Sequence, residues 1–146
     1  MAAESRCRPM SLLVTAGQAG DAPQFVAVMD AIAVRRRSSG RPRRRPRRVL
    51  ADKAYSSRAI RVWLRRRGIA ATIPQPDDQK AHRRRRGSRG GRPPAFDCQL
   101  YRQRNIAERC INRLKQWRGL AMRTDKLAVH YQAALTLAGI QLRTKP

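Results

Sequence analysis

Acidic residues are scarce in this 146-residue chain. Nine Asp and Glu stand against 34 Lys and Arg, a formal net charge of +25 at pH 7. Aromatic residues make up only 5%. Cysteine occurs three times, at Cys7, Cys98 and Cys110; an odd number at wide spacing excludes a disulfide framework. The only histidines are His82 and His130. With three scattered cysteines they show none of the ligand spacing of a zinc site. No run approaches the roughly 18 apolar residues that span a bilayer, so no membrane partner is expected. The first 20 residues lack the basic start and unbroken apolar run of a secretory signal, which points to a cytoplasmic location. Apolar residues reach 41%, enough for a core and too many for a wholly disordered chain. What is abundant is arginine, and a charge of this size suits a polyanion, nucleic acid first.

The charge is concentrated. Residues 35–48 read RRRSSGRPRRRPRR and residues 80–94 read KAHRRRRGSRGGRPP. Like-charge repulsion and the Gly and Pro content predict two exposed basic loops, which separate three ordered blocks. In the first, Pro9–Thr15 has strand length and Asp21 is placed to cap a helix with Pro23 in its first turn. Phe25, Val28, Met29 and Ile32 fall on one face of that helix. In the second, Val49 and Leu50 form a short strand closing on Asp52. Ser56 is placed to cap a helix through Arg67, with Ile60, Trp63 and Leu64 as its apolar stripe and Gly68 as its stop. A strand over Ile69–Ile73 completes a βαβ unit with parallel strands. The third block predicts one helix over 98–117, a break at Gly119, and a second helix through Leu142 capped by Thr124 or Asp125. Leu127, Tyr131, Ala134, Leu135 and Ala138 line its apolar side. Cys110, Trp63 and Trp117 sit on apolar stripes and read as core.

With so few carboxylates, each is informative. Asp21 and Asp125 suit caps, Asp30 lies on a polar face, and Asp77 and Asp78 fall in a Pro-flanked loop. Asp52 closes a strand just before a helix, where ligands gather in open α/β sheets; a cap for the next turn is the plainer use of the same position. Glu108 lies on the third-block helix. At 100° per residue, Tyr101, Arg104, Glu108 and Lys115 share one stripe, opposite Ile106, Cys110, Leu114 and Trp117. A solvated face with ordinary ion pairs would look the same.

The spacing is more specific. Tyr101-x2-Arg104-x3-Glu108-x6-Lys115 resembles the Y-(2)-R-(3)-E-(6)-K motif of DDE transposases from bacterial insertion sequences. ADKAYSSRAIRVWLRRRGI resembles the family's second-aspartate segment, and LLVTAGQAGDAPQF a segment upstream of it. IPQPDDQ, RPPAFD, YRQRN, NRLKQWRGLAMR and DKLA follow in the family's order. The resemblance runs from about Arg8 to Leu142.

It implies an RNase H-like α/β fold, a mixed sheet flanked by helices, filling residues 1–146 as one partial catalytic domain. It also implies transposition chemistry on DNA, at insertion-sequence ends and target, with Mg²⁺ or Mn²⁺ held between three carboxylates. Asp52 carries over as the second catalytic, metal-binding carboxylate and Glu108 as the third. Tyr101, Arg104 and Lys115 carry over as DNA-binding companions.

The family's first aspartate has no counterpart here. Nothing in MAAESRCRPM resembles its segment, and Glu4 is not promoted to that role. The first strands are expected to be missing, leaving an open sheet edge, and the chain is expected not to transpose DNA alone. A downstream reading frame joined by frameshifting, a decayed remnant and a start codon placed too late all fit. The expected partners besides DNA are an upstream frame's product or a full-length transposase. A non-catalytic, basic nucleic-acid-binding or transposition-regulating protein is the alternative reading.

Overall fold

A computed structural model describes residues 1–36 and 38–144; position 37, inside the first basic segment, lies outside the described residues. In chain order the elements are β1 (Ala2–Ala3), β2 (Pro9–Ser11), α1 (Phe25–Asp30), β3 (Arg48–Leu50), α2 (Arg58–Arg66), β4 (Ala70–Thr72), α3 (Asp77–Arg85), α4 (Cys98–Tyr101), α5 (Asn105–Leu114), α6 (Arg118–Met122) and α7 (Ala128–Thr144). The chain is mixed α/β, with small sheets and flanking helices. It divides into two compact units, Met1–Arg44 with Asn105–Pro146, and Arg45–Arg104. Among the described residues no helix is long and apolar enough to cross a membrane.

The Arg45–Arg104 unit is built on the expected βαβ pattern. β3 and β4 pair in parallel, Arg48 opposite Ala70 and Leu50 opposite Thr72. Ile60 and Leu64, one turn apart on α2, are buried along with Ile69 and Ile73. Gly68 takes φ +62° just past α2, the left-handed stop that glycine adopts without a Cβ penalty. The cap differs by one residue: Ser57, not Ser56, accepts from the Ile60 N–H at 3.3 Å. Trp63 is half-buried, with the Arg67 guanidinium 4.0 Å from its ring centroid.

Part of the second basic segment is helical. The sequence puts a loop at 80–94, yet α3 carries the chain to Arg85 and a 3-10 turn spans Gly87–Gly90. Asp77 and Asp78 occupy the first turn of α3 and His82 to Arg85 the last. That order complements the helix dipole at both ends.

In the other unit β1 pairs antiparallel with β2, and β2 stops at Ser11, short of the expected Thr15. The Asp21 side chain makes no capping bond; a 3-10 turn over Ala22–Gln24 leads into α1. Phe25, Met29 and Ile32 are buried as the period requires. Leu114, Leu120, Ala138 and Leu142 form a core cluster, with Leu12, Trp117 and Tyr131 packed on it. Gly119 lies inside α6, and the break falls at 115–117, before that helix. α7 begins at Ala128, beyond Thr124 and Asp125, so neither caps it, and Leu127 is exposed. The Tyr131 hydroxyl donates to the Leu120 carbonyl at 3.1 Å and locks α7 to α6.

Cys110 on α5 is fully buried, and burial pushes its thiol from 9.0 up to about 11. A thiol whose folded value is raised stabilises the fold below its unfolded value and loses that contribution as pH rises through the folded one. Stability is therefore expected to fall by about 2–3 kcal/mol between pH 9 and 11. Denaturant melts across that range check this, and Cys110→Ala should remove the decline.

Candidate functional site

Asp52 follows β3 by two residues and opens a 3-10 turn over Lys53–Tyr55. Its backbone is extended, and one carboxylate oxygen accepts from the Lys53 N–H at 2.6 Å. The side chain is exposed. The strand end therefore presents a carboxylate whose orientation a backbone donor fixes.

The turn is held by Arg61, a residue outside the motif and its companions. Arg61, on α2, donates from Nη2 to Ser56 Oγ at 2.8 Å and to the Ile73 carbonyl at 2.9 Å. Its Nε donates to the Ser56 carbonyl at 3.3 Å. Burial lowers its pKa from the ordinary guanidinium value, and the side chain stays a cation. Ser56 in turn donates to Gln79 Oε1 at 2.9 Å, which ties α3 to the same turn. Ser56 is thus a buried junction between three segments rather than a cap. The available signal is Arg61's position beside Ile60 and three residues before Leu64, at the edge of the apolar stripe. Arg61→Met is expected to leave Ser56 and Ile73 oxygens short of a partner and to cost about 1–3 kcal/mol. Urea melts measure this, and Arg61→Lys should recover only part, because an ammonium cannot reproduce the planar fork.

Tyr101 and Arg104 fall in the same unit as Asp52. Asp97 caps α4, accepting from the Gln99 and Leu100 N–H groups at 3.0 Å. Tyr101 ends that short helix, its ring centroid 5.2 Å from that of Phe96. Arg104 closes a 3-10 turn over Arg102–Arg104, with its guanidinium 5.8 Å from the Tyr101 ring centroid. The structure brings these two motif residues together.

Glu108 and Lys115 fall in the other unit. Glu108 is in the first turn of α5, not mid-helix, and is exposed. A carboxylate there opposes the positive end of the helix dipole. Lys115 lies just past α5, its N–H donating to the Ile111 carbonyl at 2.9 Å. Ile106 is half-buried, and Cys110 and Leu114 are buried, so α5 turns its apolar stripe inward and Glu108 outward as expected. The single helix expected over 98–117 is broken. The 3-10 turn at Arg102–Arg104 rotates by about 120° per residue rather than 100°, so a projection started at Tyr101 does not carry into α5.

A family model described as the transposase DDE domain matches residues 2–142. The chain belongs to this family. A relative named "Putative transposase for insertion sequence element IS402", from Burkholderia cepacia, is 38% identical over 65 residues. That stretch is 44% of this chain and 31% of the relative, so the match spans about a third of the relative's length. No solved structure matches.

Enzymes of this family generally use divalent metal ions. Asp52 and Glu108 offer hard oxygen donors of the type such ions prefer. Among the described residues no three His, Cys, Asp or Glu side chains gather into a group that could hold a metal ion. The donor type fits; the two carboxylates belong to different units.

Proposed function

We propose that this chain is part of the RNase H-like catalytic domain of an insertion-sequence transposase that cleaves and joins DNA phosphodiesters. The observation that carries the reading is the Tyr101, Arg104, Glu108 and Lys115 spacing, in a chain matched to the family over residues 2–142. Asp52, at the end of β3, and Glu108 are assigned as two of the catalytic carboxylates and as ligands for Mg²⁺ or Mn²⁺. Arg104 and Lys115 are assigned to phosphates near the cut, as permanent cations; Tyr101 positions Arg104 through its ring face.

Two carboxylates are one short of the three on which the family's chemistry rests, so no metal-dependent step is assigned to this chain alone. The 146-residue chain, purified and given Mg²⁺ with insertion-sequence ends, is expected to leave the strands intact. Robust cleavage that disappears in Asp52→Ala would overturn this. The net charge of +25 favours a second reading, a non-catalytic binder that regulates transposition by occupying DNA or joining a full-length transposase. On that reading Asp52→Asn in this chain leaves its effect on a full-length transposase unchanged.

A further inference from the structure

α3 is an unusual helix. None of its nine residues is buried, so no core holds it. It is held instead by polar bonds. Gln79 accepts from Ser56 at 2.9 Å and so ties the helix to a distant segment; Gln75, just before it, accepts from Arg83 Nη1 at 3.0 Å, and within it the Lys80 ammonium meets the Asp77 carboxylate at 2.9 Å. The following 3-10 turn folds back so closely that a Cβ on Gly90 would run into the Arg83 carbonyl oxygen. Residues 77–92 carry seven cations against two carboxylates.

Part of this charge has a local use. Lys80 and Arg83 are half-buried and bonded within the unit. Arg84, Arg85, Arg86 and Arg89 are exposed. A helix C-terminus presents about half a negative charge, which one cation offsets. Four exposed guanidinium groups on one short stretch exceed that need, and their mutual repulsion works against the fold.

We infer that α3 and its 3-10 extension form a second DNA-binding element, with Arg84, Arg85, Arg86 and Arg89 on the phosphates of duplex DNA. The inference rests on the proposed function, which makes DNA the polyanion. Guanidinium forks match phosphate oxygens in geometry as well as charge. The element is also attached to the candidate site. The Ser56–Gln79 bond joins it to the turn that Asp52 opens. The Lys80 hydrogen bond, with further help from Lys53 and Arg84, holds the Asp77 carboxyl below its ordinary value. The start of α3 thus lies within the field of the residue next to Asp52. A duplex held by this element would be gripped within the same compact unit as the carboxylate assigned to the cut.

The test is binding of the full chain to a fluorescent duplex of random sequence, read by anisotropy over a range of KCl concentrations. Each phosphate contact contributes about −0.9 to the slope of log K against log salt. The triple variant Arg84→Gln, Arg85→Gln, Arg86→Gln is expected to flatten the slope by about 2–3, with wild-type far-UV circular dichroism. Where the triple variant fails to fold, single variants at Arg85 and Arg89 should each flatten it by about 0.9. A wild-type chain that binds duplex with a slope these variants leave unchanged would overturn this inference and spare the proposed function. A wild-type chain that does not bind duplex would overturn both. Tighter binding to single-stranded RNA of equal length would overturn the assignment of duplex DNA as the ligand.

Discussion

Asp52→Asn and Glu108→Gln, each placed in a complete transposase carrying this segment, are expected to lower strand cleavage about 10³-fold while leaving the fold intact. Both changes remove a charge and keep the shape. Asn at position 52 can still accept from the Lys53 N–H, the bond that sets the side chain at 2.6 Å. Gln at position 108 gives up only the attraction of a carboxylate for the start of α5, about 0.3–1 kcal/mol. On the proposed assignment, what both lose is negative charge where cation-assisted chemistry on a phosphodiester needs it. Such electrostatic support contributes several kcal/mol, and about 4 kcal/mol is a factor of 10³ in rate. Asp78→Asn is the matched control, because Asp78 is exposed in the first turn of α3. It should cleave close to the wild-type rate. Gel-based cleavage of labelled ends, with melting curves alongside, separates lost chemistry from lost fold.

Leu64→Ala should have the largest effect on stability, about 2–5 kcal/mol. Leu64 is 1% exposed and lies one turn from Ile60 on α2. α2 packs on β4, whose neighbours Ile69 and Ile73 are also buried. Truncation removes the methyl groups and leaves a cavity that this short unit cannot easily close. In a chain of this size each kcal/mol shifts the melting temperature by about 2–4 °C, so a drop near 10 °C is expected. Leu137→Ala, on the exposed side of α7, should move the midpoint by no more than about 0.5 kcal/mol. A Leu64→Ala melt within 2 °C of wild type would show that α2 is not seated through this side chain.

How far the structure could be read from the sequence depends on which force decides each segment. The β3–α2–β4 unit was legible because apolar period and a glycine stop act together: Ile60 and Leu64 point inward and Gly68 ends the helix. The inward stripe of α5 was legible for the same reason. α3 was not, because its support is polar and non-local. Gln79 finds Ser56 from 23 residues away, and no window of sequence reveals that pairing. The role of Arg61 is hidden on similar grounds, since its two carbonyl partners lie in different segments. The break at Arg102–Arg104 was hidden because a 3-10 turn keeps helical composition and changes only the rotation per residue. Of the candidate site, Asp52's strand-end position and the exposure of Glu108 followed from pattern. The contact of Arg104 with the Tyr101 ring required the turn between them.

The most direct test of the site assignment is the metal preference of cysteine variants. Asp52→Cys and Glu108→Cys, each in a complete transposase, are assayed for strand cleavage with Mg²⁺ and with Mn²⁺. A thiolate is a poor ligand for Mg²⁺ and a better one for Mn²⁺. If both side chains hold the ions, each variant should be inactive with Mg²⁺ and recover measurable cleavage with Mn²⁺. Cleavage near the wild-type rate with Mg²⁺ in either variant would contradict the assignment of that carboxylate.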